Sequence, residues 1–333
     1  MSICSRCVLP DTFPGISFDD QGVCNYCRNM PVPDSDEKQA YRKKFEDLLD
    51  NRRSSDSFDV LLAYSGGKDS TYTLYLLTKK FSLKVLAFVF DNGFISEQAM
   101  KNIKHMTDTL GAACTVFRPP FHLMQKVFGL AAGHDIYSPK TLDRASSICT
   151  TCIGMVKAMI LKTALSYRIP LVAFGWSPGQ APISSAIMQT NPRLQRFSHR
   201  SVRDPLIDLA GAEIKPFFLS DGDLAVDPSR WPVNIHPLAF MEYDEDAIVE
   251  TISSLGWVKP LDTDPNSTNC LLNALANHLH RKRFKFHPYA WEIAGIVRSG
   301  CMDRDQGIAK VNQEEDRNMV NYAARILGID PGL

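Results

Sequence analysis

Three groups of residues in this chain have the types and spacing to do chemistry. The first is the hexapeptide Ser65-Gly66-Gly67-Lys68-Asp69-Ser70, directly after the apolar run Val60-Leu61-Leu62-Ala63. A glycine pair that turns a strand into a helix leaves backbone N–H groups aimed at one spot. Glycine lets an anion approach the backbone, and Ser65 and Ser70 add hydroxyls, so the stretch reads as a phosphate-binding loop. An ordinary strand-to-helix turn would use the same glycines. The spacing differs from the loop that needs four residues between its glycines and a Lys-Ser/Thr pair after the second. Lys68 is placed to reach a phosphate or to turn to solvent.

The second group is Cys4-x-x-Cys7 with Cys24-x-x-Cys27. Two such pairs complete a tetrahedral thiolate site, for which zinc is the expected ion. Little else in residues 1–30 builds an apolar core, so a metal would supply the folding energy. Four reduced structural thiols are the plainer alternative. The third group is Cys149-Thr-Thr-Cys152, just ahead of an expected helix at 153–167, with Cys270 far downstream. The pair reads as a redox dithiol sharpened by a helix N-terminus, as part of a metal site completed by Cys270, or as structural. Cys114 and Cys301 are expected to be buried bystanders.

These groups need a scaffold. The chain has 333 residues and 44% hydrophobic content, enough for one large domain or two smaller ones. With 37 basic and 37 acidic residues, it lacks the overall surplus of a nucleic-acid binder. No apolar run of spanning length and no signal-like N-terminus are read, so the expected location is cytoplasmic, with no membrane partner. In that compartment nine cysteines point to metal rather than disulfides.

Residues 31–57 read as a linker, opened by Pro31 and Pro33 and carrying an amphipathic helix at 37–51 with Tyr41, Phe45, Leu48 and Leu49 on one stripe. From residue 58 strands alternate with helices: strands at 59–64, 84–91, 113–117 and 170–174. Helices fall at 69–77, 96–110, 123–132 and 153–167. The alternation predicts an α/β fold with a doubly wound parallel sheet over 58–190. Ligands of such sheets bind at the carboxyl ends of the strands. The loop 175–182, GWSPGQAP, then faces the substrate. Arg193, Arg196, His199, Arg200 and Arg203 form a basic stretch, suited to phosphates of a nucleotide sugar or RNA, or a solvated helix face. Residues 191–333 read as a mostly helical substrate or cap region. It is loop-like at 210–233, with helices at 245–255, 271–285, 289–298 and 313–327.

SGGKDS after a strand resembles the PP-loop of the ATP pyrophosphatase superfamily, whose fold is of the HUP type, and the resemblance covers residues 58–180. It implies ATP and Mg2+. Ser65, Gly66, Gly67, Lys68, Asp69 and Ser70, with Gly175, would hold the nucleotide. Phe90, Asp91 and Asn92 would lie beside its adenosine, Asp91 near the ribose or a Mg2+ or simply capping its turn. A carbonyl or amide oxygen of the substrate would attack the α-phosphorus, and a nucleophile would then displace AMP. Asp69 would take a catalytic part in the activation.

The Cys-x-x-Cys after the third strand, with one distant cysteine, resembles iron–sulfur tRNA thiolases. It implies that Cys149, Cys152 and Cys270 are catalytic and hold a 4Fe-4S cluster, or serve as persulfide and disulfide cysteines. The Gly-His and Asp pair of many thiolases is missing near residue 175, which weakens the transfer of tRNA recognition. CSRCVLPDTFPGISFDDQGVCNYCR and SGCMDRDQGIAKV resemble the two ends of N-acetyl sugar amidotransferases of surface polysaccharide synthesis. Zinc knuckles open certain thiolases too. The expected function is an AMP-forming sulfurtransferase. The alternative is an amidotransferase, and a non-catalytic nucleotide sensor is a third class. The expected substrate is a small molecule or nucleotide sugar rather than tRNA. A sulfur-donor protein or a glutaminase is the expected partner, and a second copy of the chain is a further candidate.

Overall fold

The computed structural model describes residues 2–30, 32–52 and 58–332. Pro31 and residues 53–57 of the expected linker lie outside them. Six strands form one sheet: β1 Val60–Ala63, β2 Val85–Phe90, β3 Ala113–Phe117, β4 Leu171–Phe174, β5 Ile187–Gln189 and β6 Val233–Ile235. Their order is β3-β2-β1-β4-β6-β5, with β5 alone antiparallel to its neighbour.

The two-residue period of the strands sends their side chains into two cores. Leu61, Leu86, Phe88, Phe90, Val172 and Phe174 face the helices Phe121–Gly133 and Ser147–Tyr167. Val60, Leu62, Val85, Ala87, Val89 and Ala173 face the helix Glu97–Leu110. Phe45 and Leu49 of the helix Ser35–Arg52 reach that second core. This is the expected doubly wound α/β fold. Its strand order reverses at β1, which pairs with β2 on one side and β4 on the other. The crevice beyond the carboxyl ends of β1 and β4 is therefore the natural ligand position.

Several local expectations are corrected. The Ser147–Tyr167 helix starts before the Cys-x-x-Cys, because Ser146 caps it by accepting the Cys149 N–H at 3.2 Å. Cys149 and Cys152 thus lie in its first two turns, not ahead of it. By length and composition this helix is apolar enough to cross a membrane, which the sequence reading missed, but it packs against the sheet. The stretch read as loop-like at 210–233 contains short helical turns, the buried Trp231 and the start of β6. With β6 paired to β4, the sheet runs past residue 190. Strands as short as β5 and β6 carry too few residues to show a period. Cys114 is exposed on the edge strand β3 rather than buried.

The N-terminal segment packs on the C-terminal helices. Phe13 lies against Tyr26, Phe286 and Trp291 with ring centroids 5.1–5.7 Å apart. Arg304, from the helix Arg304–Asn312 that the sequence reading missed, donates to the carbonyls of Cys4 and Cys7 at 2.8–3.2 Å. Gly307 of that helix lies so close to Val8 and Val297 that a Cβ there would approach them to 2.9 and 2.8 Å.

Candidate functional site

Gly66 turns the chain out of β1 at φ +74°, and the helix Lys68–Tyr75 begins at once. A Cβ on Gly66 would meet the Ala99 carbonyl at 2.7 Å, so both φ and space demand glycine. Ser65 and Ser70 knit the loop: their hydroxyls lie 3.0 Å apart, and Ser65 Oγ accepts the Gly67 N–H at 3.3 Å. Gly175, at the end of β4, presses on the helix start. A Cβ there would come within 2.6 Å of Ser70 Cα. The two ends of the switch point therefore meet, as the sequence expects of loop and Gly175.

Lys68 does not turn to open solvent: its side chain is largely buried on the wall of the cavity over the loop. Its Nζ donates to Asp69 at 2.9 Å and to the Tyr243 hydroxyl at 3.0 Å, and that hydroxyl donates to Asp69 Oδ1 at 3.0 Å. Burial opposes the ammonium charge, but Asp69, Tyr243 and Glu245 outweigh it and raise the lysine pKa. The Lys68 N–H donates to Thr268 Oγ1 at 3.0 Å, so residues 265–269 lie across the loop. A cavity of about 460 Å³ opens here, lined by Ser65, Gly67, Asp69, Trp176, Tyr243 and Glu292 among others. Its size suits a nucleotide-scale ligand.

Glu292 was invisible to the sequence reading. It belongs to the helix Ala290–Arg298, which is locked onto the 175–182 loop. A Cβ on Gly179 would lie 2.0 Å from the Glu292 carbonyl, and one on Gly295 would lie 2.6 Å from Gly179 Cα. Ser177 Oγ donates to Glu292 Oε1 at 2.8 Å. Burial raises the Glu292 carboxyl to about 7 despite that hydrogen bond. A carboxyl that exchanges protons near neutrality suits general acid–base work.

Phe90, Asp91 and Asn92 do not line this cavity. Phe90 is buried near Phe117. Asp91 accepts from Arg118 at 2.6 Å and from the Gly93 N–H at 2.9 Å, the arrangement of a capped turn. Asn92 instead reaches the cysteines, donating to Cys152 Sγ at 3.4 Å.

The three cysteines converge just behind the cavity wall. Asn92 also hydrogen-bonds Cys270, whose thiol pKa is raised by burial first and by the nearby Cys152 and Cys149 second. Cys149 Sγ faces Asn273 Oδ1 at 3.7 Å, and the cavity-lining Tyr289 hydroxyl donates to the same oxygen at 3.1 Å. Cys270 pairs across to Ile95 and follows Asn269, which lines the cavity. Burial pushes the Cys152 and Cys270 thiols up to about 12 and raises Cys149 as well. Burial thus works against the low thiol pKa that a redox dithiol needs. The three sulfurs do not all lie within 4.8 Å of one another, so the trio is not a single-ion site; the wider spacing is one that a multi-iron cluster, whose irons take one thiolate each, can use.

The N-terminal cysteines form a different kind of site. Among the described residues they are the one group of three or more ligating side chains within 4.8 Å of one another. Cys4 and Cys27 sulfurs are 3.9 Å apart, and Cys7 and Cys24 sulfurs 3.8 Å. Four sulfurs bound at about 2.3 Å around one ion would be spaced about 3.8 Å apart. Backbone N–H groups of Arg6, Cys7, Cys24 and Cys27 donate to these sulfurs at 3.2–3.4 Å, which favours thiolates. The four residues fit a tetrahedral metal ion.

No family model matches the sequence. A relative from Methanocaldococcus jannaschii, an uncharacterized protein, is 22% identical over 306 residues, spanning 91% of this chain and 90% of its own. Among solved structures, the U34-tRNA thiolase NcsA from Methanococcus maripaludis, with its 4Fe-4S cluster, aligns over 98% of this chain and 89% of its own. Its identity is 16% and its TM-score 0.38. NMN synthetase from Francisella tularensis aligns over 66% of this chain and 85% of its own at 11% identity, TM-score 0.31. NAD+ synthetase from Burkholderia pseudomallei aligns over 68% and 88% at 16% identity, TM-score 0.27. In the SGGKDS loop on β1 and the sheet that carries it, the chain resembles the PP-loop ATP pyrophosphatase superfamily.

Proposed function

We propose that this protein uses ATP to adenylate a carbonyl or amide oxygen and then replaces that oxygen with sulfur. The convergence of Cys149, Cys152 and Cys270 behind the wall of the loop's cavity carries this reading. Ammonia chemistry requires no such trio. The loop backbone and the Ser65 and Ser70 hydroxyls orient the phosphates of ATP and offset charge developing on them. The substrate oxygen attacks the α-phosphorus and pyrophosphate leaves. A sulfur nucleophile then bonds to the activated carbon, and AMP departs with the oxygen. Glu292, held by Ser177, takes a proton from the incoming group.

Cys149, Cys152 and Cys270 would hold an iron–sulfur cluster, with Asn92 hydrogen-bonded to its thiolates. Such a cluster supplies an electron-poor iron that binds sulfide. Cys4, Cys7, Cys24 and Cys27 would hold structural zinc. A small molecule or nucleotide sugar fits the neutral chain better than tRNA, with a sulfur-donor protein as partner and a Mg2+ accompanying ATP.

One observation favours a second reading, nitrogen insertion with a glutaminase partner. The two segments that resemble amidotransferases pack on each other, and between them they support the helix that brings Glu292 to the cavity. Element analysis of anaerobically purified protein separates the readings. Iron at about four and zinc at about one per chain supports sulfur. An iron-free chain that still converts ATP to AMP with an N-acetylated sugar and ammonium replaces sulfur by nitrogen.

A further inference from the structure

A second cavity, of about 320 Å³, lies at the start of the Ser147–Tyr167 helix, away from the ATP loop. One wall is apolar, with Ala131, Ala276 and Leu279. The other holds Ser147 and His280, and Lys282 and Arg283 stand at its exposed rim. Arg283 pairs with Asp135 at 2.5 Å, and Lys282 rests on the Gly332 carbonyl.

His280 is 3% exposed, and neither ring nitrogen has a hydrogen-bond partner. Ser147 is only half-buried, but its Oγ is inaccessible and likewise unpartnered. Burial lowers His280 to about 4, so the ring is neutral and keeps one N–H to donate. Unsatisfied buried polar atoms are rare and mark a place for a missing partner. Between His280 and the cysteines runs a buried polar stripe on the helix Asn273–Phe284. Asn273, Asn277 and His280 stand at i, i+4 and i+7, on one face. Asn277 leans toward Asp264 without closing a hydrogen bond. Asn273 ends the stripe at Cys149.

The donors around this cavity favour an anion. Ser146, Ser147 and Ile148 at the start of a long helix line the cavity, where the helix end favours negative charge; the Ser147 hydroxyl and neutral His280 add donors, and Lys282 stands at the rim beside the paired Arg283. Ammonium would be disfavoured by the same rim. On the sulfur reading, nucleotide and substrate fill the ATP cavity. We propose that the cavity at Ser147 and His280 is the entry and holding site for a small sulfur anion, hydrosulfide, on its way to Cys149. The identity of the anion rests on the sulfur reading above; the site itself does not.

The test uses hydroselenide, whose selenium scatters anomalously. Anaerobic crystals of the full chain are soaked in sodium hydroselenide with ATP present. A selenium peak within hydrogen-bonding distance of Ser147 Oγ and the His280 ring supports the site. The peak should vanish in Ser147→Ala combined with His280→Phe and weaken in Ser147→Ala alone, the milder change kept in case the double variant folds poorly. A cavity without selenium in wild-type crystals overturns the proposal. Once an acceptor is known, Ser147→Ala should raise the hydrosulfide KM roughly tenfold at constant kcat. An unchanged KM overturns the entry role while leaving sulfur insertion intact. A selenium peak in a chain that inserts nitrogen would overturn the sulfur reading and keep the anion site.

Discussion

Glu292 sits with Ser177 on one side and feels Lys68 and Asp69 across the cavity. Its carboxyl is raised from 4.5 to about 7, chiefly by burial. Between those values the folded chain keeps a proton that the unfolded chain releases. Stability contributed by this group is therefore full below pH 4.5 and declines as pH rises toward 7. Glu292→Gln removes the decline. Urea melts should show the variant no more stable than wild type at pH 4 and more stable at pH 8, by at most about 3 kcal/mol. Equal pH profiles would show that Glu292 does not titrate in this window. Gly175→Ala makes the opposite kind of change. The added methyl meets Ser70 backbone, so overpacking should cost about 1–3 kcal/mol and weaken ATP binding as the loop shifts. A melting curve and calorimetric ATP affinity check both. SGGKDS was legible because a phosphate loop is local in sequence. Ser177 was legible only as part of the 175–182 loop, and Tyr243, Thr268 and Glu292 were not, since only folding brings them to it.

Helices and strands differ in how much of themselves they print in the sequence. The strands β1 to β4 and the helix Glu97–Leu110 were readable from apolar runs and their alternation. The three-residue strands β5 and β6 were not, because their identity comes from pairing at the sheet edge. The spacing of Cys4, Cys7, Cys24 and Cys27 announced a metal site. The helix Ala290–Arg298 was expected at 289–298, but its packing against that site was beyond sequence reach. This helix is supported from behind by the knuckle through Trp291 and Ala294 and offers Glu292 and Ile296 to the cavity. Cys7→Ser should therefore cost more than the knuckle alone. Metal content should fall, and the main melting transition should drop by several kcal/mol of stability, because metal binding is folding free energy in so small a segment. A variant that loses its metal but melts unchanged would make the knuckle an independent appendage.

Across the whole molecule, the two ends of the chain close over the middle. The N-terminal knuckle lies on C-terminal helices, and residues 265–269 lie on the loop after β1. Ligands at the loop and at the knuckle thus act on one shared helix. Binding free energies that share an element are coupled, and the coupling is reciprocal. ATP at about a hundred times its Kd should stabilise the native chain by roughly 2.7 kcal/mol. In the metal-free Cys7→Ser chain, ATP should bind about tenfold more weakly, a coupling of about 1.4 kcal/mol. By reciprocity, saturating ATP should slow metal loss from the wild-type knuckle to a chelator and tighten its apparent affinity by that same factor. Calorimetry of ATP with and without knuckle metal, and metal competition with and without ATP, give two independent readings of one number. If the two factors agree and exceed unity, the knuckle is part of the activation machinery. Should ATP affinity ignore the metal, the contact through Ala290–Arg298 is only structural, and Glu292 is positioned by the Gly179–Gly295 contact alone.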